Sequence, residues 1–226
     1  MNVNGKAALV TGAGKGIGKA AAVRLAAAGA AVAVVDLDER AVQETVRDIE
    51  SAGGKAAGYV TDVSREEQVA DTVRRVEERF GRIDILVNCA GIQRYGTVVD
   101  TSVELWDEVM NVNLKGVFLM CKHVIPVMRK QQGGAIVNIS SVQAFVTQKQ
   151  VAAYTASKGA INALTRAMAV DHAAEGIRVN AICPASVDTP MLRWAAGLFG
   201  GDVEETVKSW GKAHPIGRVA RADEIA

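Results

Sequence analysis

Tyr154 and Lys158 are the residues whose types and spacing point most directly to chemistry. They lie four positions apart in a segment with helical periodicity, so their side chains share one helix face about one turn apart. A free tyrosine has a pKa of about 10, too high for a base at neutral pH, and a nearby ammonium group favours the phenolate. We therefore expect Lys158 to lower the pKa of Tyr154 and make it a usable base.

Ser141 adds a hydroxyl group to this pair. It follows shortly after the fifth predicted strand, residues 135–139. Because ligands of open parallel sheets bind beyond the carboxyl ends of the strands, Ser141 is expected to meet Tyr154 and Lys158 in one pocket.

A glycine-rich turn joins the first predicted strand to the first predicted helix. Its glycines are Gly12, Gly14, Gly16 and Gly18, in the spacing GxxxGxG, which is neither GxGxxG nor a Walker loop. Here Gly12 allows a tight turn, Gly16 a close approach of a pyrophosphate to the backbone, and Gly18 close packing of helix on strand. A flexible connection that binds nothing is the alternative interpretation.

Asp36 supports the interpretation of the glycine-rich turn as part of a nucleotide site. It ends the second predicted strand, 18 positions after Gly18, where an acidic residue accepts a hydrogen bond from a ribose 2′-hydroxyl. Its charge repels a 2′-phosphate, whereas Lys15 attracts one, and a carboxylate in direct contact should outweigh a flexible exposed lysine. This favours NAD over NADP. A helix N-cap role, with Asp38 beside it, is the alternative for Asp36, and both roles could coexist.

Short apolar runs alternate with longer helical segments along the chain, which is typical of βαβ units in a doubly wound parallel α/β sheet. The predicted strands are residues 7–10, 31–35, 59–63, 83–87, 135–139 and 179–182. The predicted helices are residues 17–28, 39–51, 64–79, 101–126 with a break near Asn111, and 151–175. Capping boxes, Ser64 with Glu67 and Thr101 with Glu104, are expected to start two of these helices.

The composition is that of a folded globular protein, with 49% apolar and 23% charged residues in a chain of 226. Length and low proline content favour a single domain over residues 1–226. A net charge of +1 gives no electrostatic reason to expect nucleic acid or an anionic membrane as partner. The longest apolar stretch, residues 26–35, is about half the length of a membrane span.

Cysteine and histidine usage predicts neither a metal site nor disulfides. Cys89, Cys121 and Cys183 lie far apart and the histidines are scattered, which favours a reducing compartment. Met1 is followed by polar residues, without the basic start and apolar stretch of a signal peptide. We therefore expect a cytoplasmic protein.

With these features in place, the sequence resembles the short-chain dehydrogenase/reductase family, particularly its NAD-preferring, glucose/ribitol dehydrogenase-like members. The resemblance covers nearly the whole chain. It rests on the glycine motif of residues 11–18, Asn88-Cys89-Ala90-Gly91, Asn113 within Asn-Val-Asn-Leu-Lys-Gly-Val-Phe, Ser141, Tyr154 and Lys158.

This resemblance implies a single Rossmann-like domain, a nicotinamide cofactor, and reversible oxidation of an alcohol to a ketone by a homo-oligomer, a tetramer or dimer. Tyr154 would be the general acid/base, Ser141 would hold the substrate oxygen, Lys158 would bind the nicotinamide ribose, and Asn113 would hold a water in a proton relay. The chemistry is consistent, because a phenolate within hydrogen-bond reach can take the hydroxyl proton as a hydride leaves the carbinol carbon.

The same resemblance implies a set of cofactor-binding residues. In it, Asp62 and Val63 would touch adenine, Asn88 the adenosine side, and Thr189 the carboxamide. The full set is Gly12, Gly14, Lys15, Gly16, Ile17, Gly18, Asp36, Leu37, Asp62, Val63, Asn88, Ala90, Gly91, Tyr154, Lys158, Pro184, Val187 and Thr189.

The sequence departs from the family pattern at three places, which limits how far the family's residue roles apply to it. Cys89 replaces the second Asn of its NNAG motif, and Ala185 replaces a glycine, which would be costly if position 185 required a positive φ. We expect packing changes without loss of cofactor binding. The family's seventh strand does not occur before Ala226, so the chain is either shortened or its last segment lies outside these residues, and the oligomeric state is left open.

Residues 190–213 are expected to form a helical lid on the substrate side. They carry Trp194, Phe199 and Trp210, which could alternatively pack a helical pair onto the sheet edge or a partner subunit. The expected pocket lining is Gln93, Tyr95, Ser141, Gln143, Ala144, Gln148, Gln150 and residues 191–194.

The amides in this lining favour a small polyol, sugar or cyclic alcohol, since amides can pair with several hydroxyls. Gln148 and Gln150 are more readily explained as parts of a solvated loop. A 3-oxoacyl-thioester reductase is the second candidate. A non-catalytic dinucleotide sensor is the third, and it could dispense with the tyrosine and lysine that this chain has.

Overall fold

The computed structural model describes residues 3–226 and contains a six-stranded parallel sheet in the order β3-β2-β1-β4-β5-β6. The strands are β1 (Ala7–Thr11), β2 (Ala31–Asp36), β3 (Lys55–Val60), β4 (Ile85–Asn88), β5 (Gly134–Ile139) and β6 (Ile177–Ile182). All neighbouring pairs are parallel, so the carboxyl ends of the strands lie along one edge. The predicted doubly wound fold is confirmed.

Helices cover both faces of this sheet. They are α1 (Gly16–Ala27), α2 (Glu39–Ser51), α3 (Glu66–Phe80), α4 (Val103–Met110), α5 (Gly116–Lys130) and α6 (Ala152–His172). Alternate residues of β1 pack into different clusters: Leu9 lies with Val69 from α3, whereas Val10 lies with Ala22 from α1. Burial on both faces explains why the strands are continuous apolar runs.

The third strand is shifted relative to its prediction. It spans Lys55–Val60 instead of residues 59–63, because the alanines and glycine at the start of this edge strand give only a weak apolar signal. The predicted capping box after it is wrong. Arg65 is the N-cap of α3, and Ser64 instead donates through its hydroxyl and its N–H to Asp62.

Two other boundaries differ by a small number of residues. Ser102, not Thr101, caps α4 by accepting from the N–H of Leu105, while the Thr101 hydroxyl donates to the carbonyl of Thr97. The fourth strand begins at Ile85 instead of residue 83.

The predicted break near Asn111 is confirmed as one π-helical turn, Asn111–Lys115, between α4 and α5. Beyond it, α5 continues through Pro126 to Lys130, so the predicted end near residue 126 is too early. The long helix α6 ends at His172 and is followed by a 3₁₀ turn, Ala173–Glu175, which the sequence assigned to the helix.

After β6 the chain forms a small substructure beside the carboxyl edge of the sheet. It contains a two-stranded parallel pair, β7 (Val187–Asp188) with β8 (Ala220–Arg221), and the helices α7 (Pro190–Leu198), α8 (Val203–Gly211) and α9 (Ala222–Ile225). Arg193 joins these parts, since it forms ion pairs with Asp188 and with Glu204.

Two kinds of feature are not found in residues 3–226. None of their helices has both the length and the apolar character to cross a membrane. Their His, Cys, Asp and Glu side chains form no group of three or more able to hold a metal ion.

Candidate active site

A cleft of about 670 Å³ runs along the carboxyl edge of the sheet and is closed on one side by the segment that contains α7 and α8. Parallel strands place their following loops at this edge, which is why residues far apart in sequence meet there. Most of the predicted site residues line the cleft: Gly12, Lys15, Gly16, Ile17, Asp36, Ala90, Gly91, Ser141, Tyr154, Lys158, Pro184, Val187 and Thr189.

The amino end of α1 provides an anion site in this cleft. Within the described part of the chain, its N-cap Lys15 makes no side-chain capping bond and its first turn has no acidic residue. The start of the helix therefore presents backbone N–H groups to a phosphate without a competing carboxylate in its first turn.

The glycines of the turn leave room for a ligand and for tight packing. A Cβ on Gly12 would lie 2.8 Å from the backbone nitrogen of Ala90, and one on Gly18 would lie 2.1 Å from the carbonyl oxygen of Gly12. Gly16 has a φ of 54°, the left-handed region that favours glycine. This cradle fits the pyrophosphate of a dinucleotide.

Asp36 lies at the end of β2 and holds the glycine turn in place. Its Oδ2 accepts from the N–H of Gly14 at 2.9 Å, and its Oδ1 accepts from the N–H of Asp38 at 3.1 Å. The N-cap of α2 is Asp38, which accepts from the N–H of Ala41. The alternative in which Asp36 itself caps the helix is therefore wrong, and its carboxylate lines the cleft.

Lys15 is engaged by a carboxylate. Its Nζ lies 2.7 Å from Oδ2 of Asp38, and this hydrogen bond raises the pKa of Lys15 and lowers that of Asp38. The cation of the glycine turn is thus already paired.

Tyr154, Lys158 and Ser141 meet as predicted, and all three are buried. The Lys158 Nζ lies 5.4 Å from the centroid of the Tyr154 ring and donates to the carbonyl oxygen of Ile139 at 2.8 Å. Burial lowers the pKa of Lys158 to about 8, because removal from water disfavours the ammonium form.

The prediction that Lys158 lowers the pKa of Tyr154 is wrong for this structure. Burial raises the pKa of Tyr154 to about 12, and a hydrogen bond with Ser141 offsets only part of that effect. The cost of taking a phenolate out of water therefore outweighs the charge of a lysine whose own ammonium form is disfavoured.

The depressed pKa of Lys158 predicts a pH effect on stability. Between pH 8 and 10.5 the lysine holds its proton in the unfolded chain but has lost it in the folded protein. The contribution of Lys158 to the free energy of unfolding should therefore rise with pH in this window, by about 1 kcal/mol per pH unit. Urea unfolding of wild type and Lys158→Met across this range measures that contribution as the difference between their free energies of unfolding. A difference that stays constant with pH would contradict the prediction.

Asn113 lies directly behind the cleft floor and is fully buried. Its Oδ1 accepts from the N–H of Ile92 at 2.8 Å, and its Nδ2 donates to the Ile92 carbonyl and to the Ser157 hydroxyl. A Cβ on Gly91 would come 3.3 Å from Asn113 and 3.7 Å from Lys158 Nζ. The π-helical turn thus brings Asn113 next to Lys158, although its side chain does not line the cleft.

Several residues of the predicted cofactor set lie outside the cleft lining. Asn88 points into the core, where its amide donates to Oδ1 of Asn138 at 2.9 Å, so a side-chain contact with adenosine is corrected to a bridge between β4 and β5. Val63 is buried against Gly116. The remaining residues outside the lining are Gly14, Gly18, Leu37, which is exposed, and Asp62, which is bonded to Ser64.

The two small departures from the family pattern are accommodated. Burial raises the pKa of the Cys89 thiol to about 11, so it is protonated where it lines the cleft. In the described part of the chain, the non-glycine residues with positive φ are Gln132 and Gln150, so Ala185 carries no such strain.

The predicted substrate side is largely present. Gln93, Tyr95, Gln143 and Gln148 line the cleft, and Gln148 donates weakly to the Tyr95 hydroxyl at 3.4 Å. Gln148 is exposed and lies in a loop, as expected, and this loop borders the cleft. Ala144, Trp194 and Gln150, which is exposed, do not line the cleft, whereas Met191 and Leu192 do.

Aromatic rings connect the 190–213 segment to the loop after β4. Tyr95 lies 5.5 Å from Phe199 in an edge-on arrangement, and Phe199 lies 5.9 Å from Trp210 in the same way. Trp194 lies 6.2 Å from Tyr95. Trp210 also lines the cleft together with His214, a residue that sequence reasoning missed because nothing in its local pattern marks it.

Comparison with known proteins decides the family. Residues 6–196 match the family model described as short chain dehydrogenase. The chain belongs to the short-chain dehydrogenase family. As a member of this family it is an oxidoreductase acting on CH–OH groups of small molecules with a nicotinamide cofactor, NAD or NADP.

The chain is similar to proteins of several named activities. It is 44% identical to an uncharacterized oxidoreductase of Thermotoga maritima, with 100% of this chain and 89% of the relative covered. It is 38% identical to the 3-oxoacyl-[acyl-carrier-protein] reductase of the same organism, over 100% and 89%. The ligand-free structure of aldohexose dehydrogenase from Thermoplasma acidophilum matches with a TM-score of 0.86 and 37% identity, over 98% and 84%.

Proposed function

We propose that this protein reversibly oxidises a secondary alcohol to a ketone with NAD, and that the alcohol is a small polyol, sugar or cyclic alcohol. The observation that carries the proposal is one shared cleft. Tyr154, Lys158 and Ser141 line it together with the glycine cradle at the amino end of α1.

Each polar group has a distinct role in the proposed reaction. The Ser141 hydroxyl holds the substrate oxygen, and the Tyr154 phenolate accepts the hydroxyl proton. Lys158 binds the nicotinamide ribose, and Asn113 holds a water that passes the proton on. The bound cofactor supplies the hydride acceptor and a positive charge.

NAD is proposed over NADP on electrostatic grounds. The Asp36 carboxylate lines the cleft where a 2′-phosphate would approach, and Lys15, the nearby cation, is paired with Asp38 at 2.7 Å. A second negative charge would thus meet a carboxylate while Lys15 is already paired with another one.

We expect Asp36→Ala to raise the ratio of kcat/KM for NADP to that for NAD by about tenfold or more, because the repulsion is removed. Steady-state rates with both cofactors measure this ratio. Asp48→Asn is the matched control, since Asp48 pairs with Lys19 of α1 at 2.6 Å outside the cleft lining. A ratio that stays constant in both variants would remove the argument for NAD.

The substrate class rests on the amides of Gln93, Gln143 and Gln148 in the cleft wall, which can pair with several hydroxyls. The similarity to an aldohexose dehydrogenase supports the same class. The similarity to a 3-oxoacyl-thioester reductase favours that activity as the second candidate.

A scan of secondary alcohols with NAD, followed by NADH absorbance, tests the proposal against its rivals. We expect turnover of polyols or cyclic alcohols above that of 3-oxoacyl thioesters assayed in the reverse direction. Cofactor binding without any turnover would instead indicate a dinucleotide sensor.

Residues 190–213 are proposed to be the lid over the substrate. Phe199 contacts both Tyr95 and Trp210, within one chain and beside the cleft, which supports this role. A homo-oligomer, tetramer or dimer, is also proposed, since Val99, Val103 and Phe118 are exposed apolar residues on or just before α4 and α5. Light scattering after gel filtration measures the assembly.

A further inference from the structure

Two buried polar atoms in the wall of the cleft have no hydrogen-bond partner among residues 3–226. They are Oε1 of Gln143 and Nε2 of His214, and both residues line the cleft. Buried polar atoms in folded proteins are nearly always paired, so an unpaired one in a side chain that lines a cleft indicates a missing partner, which a ligand can supply when the side chain turns toward it.

Gln143 is tied to the proposed position of the reacting oxygen. It lies two residues after Ser141, and its backbone N–H donates to the Ser141 hydroxyl at 3.1 Å. This bond fixes the short 3₁₀ turn Val142–Ala144 that carries the glutamine. Gln143 and Ser141 therefore line the cleft from one fixed turn.

His214 comes from the segment on the other side of the cleft, three residues after the end of α8. Its own N–H donates to the Gly211 carbonyl at 3.0 Å, and its carbonyl accepts from the N–H of Gly217 at 2.8 Å. The turn is tightly packed, because a Cβ on Gly211 would lie 2.7 Å from Cα of Arg218. The imidazole is thus presented from a turn fixed at both ends.

The chemistry of the two atoms restricts what can satisfy them. An amide oxygen only accepts hydrogen bonds, whereas an imidazole nitrogen donates or accepts according to its tautomer. A carboxylate or a carbonyl oxygen would leave Gln143 Oε1 unpaired. A hydroxyl can donate to the glutamine and can pair with the histidine in either tautomer.

We propose that Gln143 and His214 form a subsite for a second hydroxyl group of the substrate, separate from the hydroxyl that is oxidised. The inference rests on the proposed function and narrows it to alcohols that carry at least one further hydroxyl. Both residues are specificity-determining, because they select among alcohols without taking part in proton or hydride transfer.

Matched pairs of simple alcohol and diol test the subsite: cyclohexanol with cyclohexane-1,2-diol, and butan-2-ol with butane-2,3-diol. We expect wild type to have the higher kcat/KM for each diol. Gln143→Leu and His214→Phe should each lower kcat/KM for the diols by about tenfold, the effect of losing a buried hydrogen bond, and change that for the simple alcohols by less than about twofold.

Gln150→Leu is the control, because Gln150 is a glutamine of the neighbouring segment that is exposed and outside the cleft lining. This variant should leave kcat/KM unchanged for both the diols and the simple alcohols. Tryptophan fluorescence gives a second measurement, since Trp210 lines the cleft and diol binding to the NADH complex should weaken in both variants.

The outcomes separate the two levels of the argument. Wild type that oxidises none of the four alcohols would contradict the proposed function, and the subsite would fall with it. The subsite alone would be overturned if wild type oxidises these alcohols but the variants lose kcat/KM equally for diols and simple alcohols, or lose it for neither. A preference for a hydroxy acid that survives Gln143→Leu would also overturn it.

Discussion

Tyr154→Phe is expected to lower kcat for alcohol oxidation by about a thousandfold while leaving the Kd of NADH within about twofold. The substitution removes only the hydroxyl that is proposed to accept the proton, and general acid–base catalysis typically contributes factors of this size. The ring, and hence the packing against Lys158 Nζ at 5.4 Å from its centroid, is kept. Single-turnover rates and fluorescence titration with NADH measure the two quantities.

The pH dependence provides an independent check on the same residue. Because burial raises the pKa of Tyr154 to about 12, the phenolate is the minor form at neutral pH. Oxidation should therefore become faster as pH rises toward 12, whereas ketone reduction, which needs the phenol proton, should stay nearly constant until pH approaches 12. Tyr154→Phe should flatten the oxidation profile. A variant as active as wild type would show that the proton acceptor is a different group.

Gly18→Ala is expected to destabilise the protein by about 3 kcal/mol and to abolish cofactor binding. A Cβ at this position would lie 2.1 Å from the carbonyl oxygen of Gly12 and 2.6 Å from its carbonyl carbon. Both are backbone atoms, so α1 and the glycine turn must move apart, and overpacking of this kind is costly. Urea unfolding and NADH titration measure the two effects.

Gly159→Ala is the matched control. Gly159 lies within α6, it has no positive φ, and a Cβ there would meet no atom within 4 Å. Alanine is the better helix former, so this variant should gain about 0.5–1 kcal/mol. If the two alanine variants have the same free energy of unfolding and the same affinity for NADH, the contact between Gly18 and Gly12 is not under steric constraint.

Local boundaries show where sequence patterns are weakest. The Ser-x-x-Glu and Thr-x-x-Glu patterns each predicted a helix cap, yet Arg65 and Ser102 are the N-caps found. Neighbouring hydroxyl groups compete for the same backbone donors, and the choice depends on how the preceding loop arrives at the helix. Ser64, the predicted N-cap of α3, is instead held in a turn in which its hydroxyl donates to Asp62.

The sequence by itself determined the fold and the composition of the main site. Alternating apolar runs specify a parallel sheet, and a parallel sheet places the loops that hold Gly12, Ser141 and Thr189 at one edge. The spacing of Tyr154 and Lys158 on one helix places them together without any knowledge of the rest of the chain.

Only the tertiary structure decided how these groups behave. The pKa of Tyr154 depends on how far the phenol is removed from water, which no local pattern encodes, and burial reversed the shift expected from Lys158. The role of Asn88 depended on Asn138, 50 residues away, and His214 was marked only by its position across the cleft. Desolvation and long-range pairing are properties of the packed chain, because they arise from atoms that the sequence separates and the fold brings together.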